Sequence, residues 1–198
     1  MADYELVIAG GTVVTAADQY RADVGIAGGR VAAIGLDLRG ARTLDAAGLL
    51  VMPGGVDSHC HVEQLHEAGG ADEETFITGS RSAFAGGTTT LIPFAVQFKG
   101  QGVSATLAEY RRRASRAMVD YSFHQIITDP TDDVIFSEVP QVVASGVRSL
   151  KVFMTYDPLF VDDRQLLRVL AAARRCGALV TVHCENYEAI RWRTAALL

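Results

Sequence analysis

Four side chains in this sequence have the types and spacing to meet on metal ions. In "VMPGGVDSHCHVEQ" (Val51–Gln64), His59 and His61 stand two residues apart just after a Pro-Gly-Gly turn. Alternate side chains of an extended strand share a face, so His59 and His61 aim together while Cys60 aims away. Neutral imidazole is a common ligand for divalent metals, zinc foremost. A bare His-x-His also serves as an ordinary polar strand end, so the pair needs partners. "SLKVFM" sets Lys151 inside an apolar run, where an amine is costly unless paired or modified. "ALVTVHC" ends in His183, followed by Cys184, Glu185 and Asn186. Singly, each has a plain structural explanation, as a snorkelling lysine or a satisfied core histidine. The joint pattern is much rarer than any one member.

The elements that must position these groups follow from the hydrophobic pattern. Residues 5–52 read as short strands broken by glycine, "ELVIAGG", "TVVTA", "DVGIAGG", "RVAAIG" and "LLVMPGG", which predicts a small β unit. After Pro53 strands and helices alternate. The predicted strands are "GVDSH", "TTTLIPFA", "YSFHQIIT", "VRSLKVFMT" and "ALVTVHC". Helices are predicted over "ADEETFITGSRSAFAGG", "SATLAEYRRRASRAM", "TDDVIFSEVPQVVASG" with a kink at Pro140, "DDRQLLRVLAAARRCG" and "YEAIRWRTAALL". That alternation predicts parallel βα units. No G-x-G-x-x-G or P-loop pattern supports a nucleotide site. The remaining candidate is a (β/α)8 barrel, whose active site gathers at the C-terminal strand ends, where His59, His61, Lys151 and His183 fall. Such barrels run to about 250 residues, and five of eight strands can be counted here. Either the fold is something smaller or the chain stops early.

The 198 residues are 49% hydrophobic and 21% charged, enough for a globular core. A net charge of −5 and a pI near 5.5 argue against a nucleic-acid partner. The basic run "EYRRRASRA" (Glu109–Ala117) reads as the solvated face of a helix. The N-terminus has no signal-peptide pattern, and no run approaches the ~18 apolar residues of a membrane span. Cys60, Cys176 and Cys184 form no C-x-x-C, which fits a reducing, cytoplasmic setting.

The segments "PGGVDSHCH", "SLKVFMTY" and "VTVHCEN", with "AGGTTTLIPF" and "DYSFHQIITD", resemble the signature stretches of cyclic amidohydrolases, in the hydantoinase and dihydropyrimidinase branch of the amidohydrolase superfamily. The resemblance implies an incomplete (β/α)8 TIM-type barrel over residues 53–198, preceded at 1–52 by the N-terminal part of a small β-sandwich domain. It implies two divalent metals, zinc the first candidate, sharing a hydroxide that opens a hydantoin or dihydropyrimidine ring. His59 and His61 would bind the more buried metal and His183 the second, with Lys151, carboxylated by carbon dioxide, bridging them. Tyr156 would stabilise the oxyanion, and Leu65, Phe153 and Phe160 would line the substrate pocket. His66 and His124 are expected to stay out of the ligand set. Glu63 stands where dihydroorotases usually carry a carboxylate-binding arginine, which disfavours dihydroorotate, and the Glu-Pro-Gly stretch of allantoinase-like enzymes is missing. A further metal-binding histidine and a proton-shuttling aspartate, expected of the family after later strands, are absent from these residues. The 198 residues are therefore expected to be inactive alone, as a fragment of an enzyme that is a homotetramer. The alternatives are a truncated non-catalytic remnant or interaction protein of the family, and an allantoinase- or dihydroorotase-like enzyme.

Overall fold

The computed structural model describes residues 3–198. The chain divides into two compact units, the first ending at Gly54 and the second running from Gly55 to Leu198.

The first unit is one mixed sheet. Strand β1 (Tyr4–Val14) pairs antiparallel with β2 (Gln19–Ala27) and parallel with both β4 (Gly40–Asp45) and β5 (Leu50–Val51). Strand β3 (Arg30–Gly35) closes an antiparallel hairpin with β2. Both residues of its turn, Gly28 and Gly29, have positive φ, the conformation that a two-residue hairpin loop of primed type demands. The glycine break expected after "ELVIAGG" is a bulge instead: β1 continues through it, with its register shifting between Ile8 and Gly11. Asp23 holds the irregularity by accepting from the Gly10 and Leu38 amides at 2.7 and 3.1 Å. Strand β4 was missed because "GARTLD" buries almost nothing and shows no apolar alternation.

The second unit carries a parallel sheet in the order β6 (Gly55–Cys60), β7 (Thr88–Ala95), β9 (His124–Ile126), β10 (Ser149–Phe153), β11 (Leu179–His183), with the short β8 (Asp120–Tyr121) beside β7. Leaving the short β8 aside, neighbours in sequence are neighbours in the sheet. A doubly wound fold reverses its strand order at a switch point, and an uninterrupted order is that of a barrel wall. This is the curled, five-stranded portion of a TIM-type barrel.

Helices α1 (Phe76–Ala85), α2 (Val103–Ala114), α3 (Val139–Ala144), α4 (Asp163–Cys176) and α5 (Tyr187–Ala195) alternate with these strands. Capping boxes start α1 at Thr75 with Thr78, and α4 at Asp162 with Gln165. The first helix begins later than its sequence suggests, because Ala71 and Glu74 are tied back to Leu65 and Glu63 by backbone pairing. The kink expected at Pro140 is a π-helical turn, Val134–Glu138, leading into α3. Widening the turn relieves the clash between a proline ring and the preceding turn's carbonyl.

Each strand sorts its side chains. On β10, Leu150 and Val152 are fully buried toward the helices, where Val169 and Ala172 of α4 join the same core. The opposite face forms a second, smaller cluster: Phe94, Val96 and Ile126 with Phe98, Phe153 and Leu159. Lys151 and Phe153 alternate with Leu150 and Val152 and so lie on that second face.

Candidate metal-binding site

The His-x-His pair behaves as strand periodicity requires. His59 and His61 both meet the Phe94 ring, at centroid distances of 4.8 and 5.1 Å, while Cys60 packs into the helix-side core. Burial, with the nearby Asp57 charge, pushes the Cys60 thiol up to about 11, and its packing against the helix-side core turns it away from the histidine pair. His59 is held below the usual histidine value, first by burial and then by the neighbouring Lys151, His61 and His124.

Lys151 is buried, 7% exposed, with its amine between two aromatic faces, 5.8 Å from the Phe94 centroid and 4.9 Å from that of Phe153. Among the described residues no carboxylate forms an ion pair with it. Burial alone lowers its pKa. Phe153 in turn stacks on His183 at 5.6 Å, and Tyr156 lies 5.1 Å from His183 and 6.0 Å from Phe153. Phe94 and Phe153 thus link the histidine pair, Lys151, His183 and Tyr156 into one continuous array on the inner face of the sheet. Tyr156 adopts φ +67°, a left-handed conformation costly for an aromatic residue and enriched at functional sites.

The donor chemistry fits divalent metals through Lys151 and not without it. Among the described residues no three His, Cys, Asp or Glu side chains come together to hold an ion. The His59–His61 pair and His183 are separate donors with one amine between them, so an oxygen-bearing Lys151 is what would join them. His183 as arranged hydrogen-bonds through Nε2 to Glu185, leaving Nδ1 to offer. His124 has no free nitrogen: Nε2 donates to the Ser58 carbonyl at 2.8 Å, so Nδ1 accepts from the Ser149 hydroxyl at 2.6 Å. His66 hydrogen-bonds Asp72 at 2.7 Å.

One expectation, the repulsion read from Glu63, needs correcting, and two of the expected pocket residues stand away from the centre of the array. Leu65 does not join the array: its amide donates to the Tyr110 hydroxyl at 2.9 Å, and its side chain packs on the helix-side core beside α2. Phe160 stands at the array's edge, bridged by backbone to Phe153 with its ring 5.0 Å from Tyr187. Glu63 cannot repel a substrate carboxylate. It is 4% exposed, and its carboxylate accepts from the Phe76 amide at 2.8 Å, from Arg113 at 2.9 Å and from Arg116 at 2.8 and 3.0 Å. The basic run on α2 is correspondingly only partly a solvated face, with Arg112 outward and Arg113 and Arg116 turned to Glu63. Phe94, which organises both histidines, went unremarked in the sequence, because "LIPFA" is apolar throughout and does not show which face it takes; the structure sets Leu91 and Ala95 in the helix-side core and Phe94 opposite.

Comparison with known proteins bears on this geometry. The profile of the amidohydrolase family matches residues 50–197. A D-hydantoinase from Geobacillus stearothermophilus is 42% identical over 197 residues, which are 97% of this chain and 41% of the relative. A dihydropyrimidinase from Rattus norvegicus is 38% identical, covering 93% of this chain and 37% of its own length. A solved D-hydantoinase structure superimposes with a TM-score of 0.90 at 40% identity, over 95% of this chain and 41% of the other. The chain therefore spans about two fifths of the length of these relatives.

Proposed function

The chain belongs to the amidohydrolase family, and from that premise we propose that, in a polypeptide of its relatives' full length, it opens the ring of a small cyclic amide, a hydantoin or a dihydropyrimidine. The observation that carries the reading is Lys151: a buried amine without a carboxylate partner among the described residues, set between the aromatic rings that also hold His59, His61 and His183.

In this reading His59 and His61 hold one divalent metal, zinc the first candidate, and His183 holds a second. Bound there, the pair supplies Lewis acidity toward the ring carbonyl and a water acidic enough to attack at neutral pH. Lys151 contributes first as a neutral amine. Its lone pair adds to the carbon of carbon dioxide, a proton leaves to water, and the resulting carbamate is an anion able to bridge two cations. Burial disfavours the ammonium form and so favours this addition. Tyr156, held on the His183 side, donates a hydrogen bond from its hydroxyl to the carbonyl oxygen as that oxygen gains charge. Phe153 and Phe160 border the ring substituent. Discrimination against a carboxylate-bearing ring does not come from Glu63, whose charge is used internally. Free thiols at Cys60, Cys176 and Cys184 suit a cytoplasmic enzyme, and the assembly is read as a homotetramer by family resemblance. Among the described residues, no helix is long and apolar enough to cross a membrane.

The test is made on a polypeptide of the relatives' length carrying these residues, expressed with zinc and bicarbonate. Ring opening of a 5-substituted hydantoin and of dihydrouracil is expected, abolished by chelation and by Lys151→Ala. Undiminished turnover in Lys151→Ala, or no ring opening by metal-loaded protein, overturns the reading.

A further inference from the structure

His61 carries a hydrogen bond that His59 does not. Its Nδ1 lies 2.5 Å from the side-chain oxygen of Gln64, whereas the His59 ring, edge-on to Phe94 and to His61, makes no side-chain hydrogen bond among the described residues. An amide oxygen can only accept, so in this arrangement the proton sits on Nδ1 and the lone pair on Nε2. The His61 ring also stacks on Phe94 with an interplanar angle of 23°. Stacking fixes the plane of the imidazole, and Gln64 fixes its orientation within that plane, since a half-turn of the ring would carry Nδ1 away from its acceptor.

The arm that does this is itself held on both sides. Glu63, before it, has φ +49° and a carboxylate locked by Phe76, Arg113 and Arg116. The Glu63 amide donates to the Glu74 carbonyl at 2.9 Å, and the Gln64 carbonyl accepts from the Asp72 amide at 3.0 Å. The Leu65 amide, after it, is taken by Tyr110. With its backbone tied at each side, Gln64 presents its amide to His61 without further ordering of the loop.

We propose that Gln64 is a positioning residue, its side-chain carbonyl holding His61 in the Nδ1-protonated tautomer so that Nε2 is the nitrogen offered to a metal, with the buried Glu63 as the anchor of that arm. The inference rests on the metal-site reading above and adds to it a partner outside the ligand set. Metal-ligating histidines commonly depend on such a partner at the second nitrogen, at a cost of roughly tenfold to a hundredfold in affinity when it is lost. The opposite amide orientation would have Gln64 donate to Nδ1, leaving the proton on Nε2 and the ring unable to ligate through it.

The experiment uses the 198-residue chain, unchanged and as Gln64→Leu and Gln64→Glu. Imidazole 15N shifts of the metal-free protein report the tautomer above the histidine pKa, and competition with a chelator gives the zinc dissociation constant. Expected is an Nδ1-protonated His61 in the unchanged chain and in Gln64→Glu, which keeps an acceptor. Gln64→Leu should lose that preference and bind zinc roughly tenfold or more weakly. His61 protonated at Nε2 in the unchanged chain overturns the proposal, as does Gln64→Leu with unaltered tautomer and affinity, or Gln64→Glu as weak as Gln64→Leu. A set Nδ1–H tautomer that responds to Gln64→Leu in a chain with no zinc affinity supports the positioning contact and counts instead against the metal reading.

Discussion

Replacing Glu63 by alanine tests whether a loop carboxylate beside the metal-binding motif is a structural anchor. The side chain is 6% exposed and joins the loop, the start of α1 and the end of α2. Its loss strands the amide of Phe76, a fully buried residue, at about 1–3 kcal/mol for an unsatisfied buried donor. The arginines suffer less. Arg113 keeps Glu109 at 2.7 Å, and the Arg116 side chain is 47% exposed and can turn to water. Removing one partner of a buried ion pair costs about 3–5 kcal/mol, so the lower edge, about 3 kcal/mol, is the expected total. At about 2–4 °C per kcal/mol for a protein of this size, the thermal midpoint should fall by roughly 6–12 °C. Glu63→Gln keeps an acceptor for Phe76 and should lose about half as much. Thermal unfolding of both variants beside the unchanged protein, followed by circular dichroism or calorimetry, gives the answer. A Glu63→Ala midpoint within about 2 °C of the unchanged protein, under 1 kcal/mol by the same conversion, would refute the anchor.

Hydrogen bonds from Arg112, reinforced by Arg113, pull Glu109 down to about 2 from its usual 4.5 against the opposing effect of burial. A depressed carboxylate stabilises fully above pH 4.5 and loses its contribution as pH falls through about 2, so Glu109→Gln should flatten the stability curve across that window; urea titrations that show an unchanged slope would contradict this. Lys151→Met exchanges a buried amine, without an ion-pair partner among the described residues, for an apolar chain of similar length and should raise the thermal midpoint while abolishing carbon dioxide uptake, read by labelled-bicarbonate NMR; a lowered midpoint would mean the amine has a partner in the folded protein. Tyr156→Gly should relieve about 1–3 kcal/mol of left-handed strain, so its stability should hold or rise, whereas Tyr156→Phe keeps the strain. In a polypeptide of the relatives' length both should lose roughly a hundredfold or more in ring-opening kcat, and full turnover in Tyr156→Phe would remove the hydroxyl from the chemistry.

The sequence was legible where a local rule decides the outcome. Period-two alternation separates His59 and His61 from Cys60, and places Lys151 opposite Leu150 and Val152, without knowledge of any neighbour. Sequence also orders the five parallel strands, by the separate rule that consecutive strands joined by a helix tend to lie side by side. It failed where pairing partners decide. "YSFHQIIT" reads as one strand, but Asp120–Tyr121 and His124–Ile126 form separate ladders, with the intervening Ser122 amide donating to Leu91. "GARTLD" reads as loop because its strand is held by its backbone beside β1, not by an apolar face.

Glu63 shows why side-chain chemistry is harder to read than side-chain direction. A glutamate two residues after His61 can be a solvated loop charge, a substrate determinant or an internal anchor, and its own neighbourhood favours none of these. What decides is the end of α2 and the turn after it, whose Arg113 and Arg116 lie 50 and 53 residues further along the chain. Those arginines sit in a basic run that looks solvated for the same reason: its acidic partner is remote in sequence. Each half misleads until the barrel wall brings them together, and then both change meaning at once. The substrate preference inferred from Glu63 falls with that change, while the same ion pair supplies the rigidity that lets Gln64 reach His61.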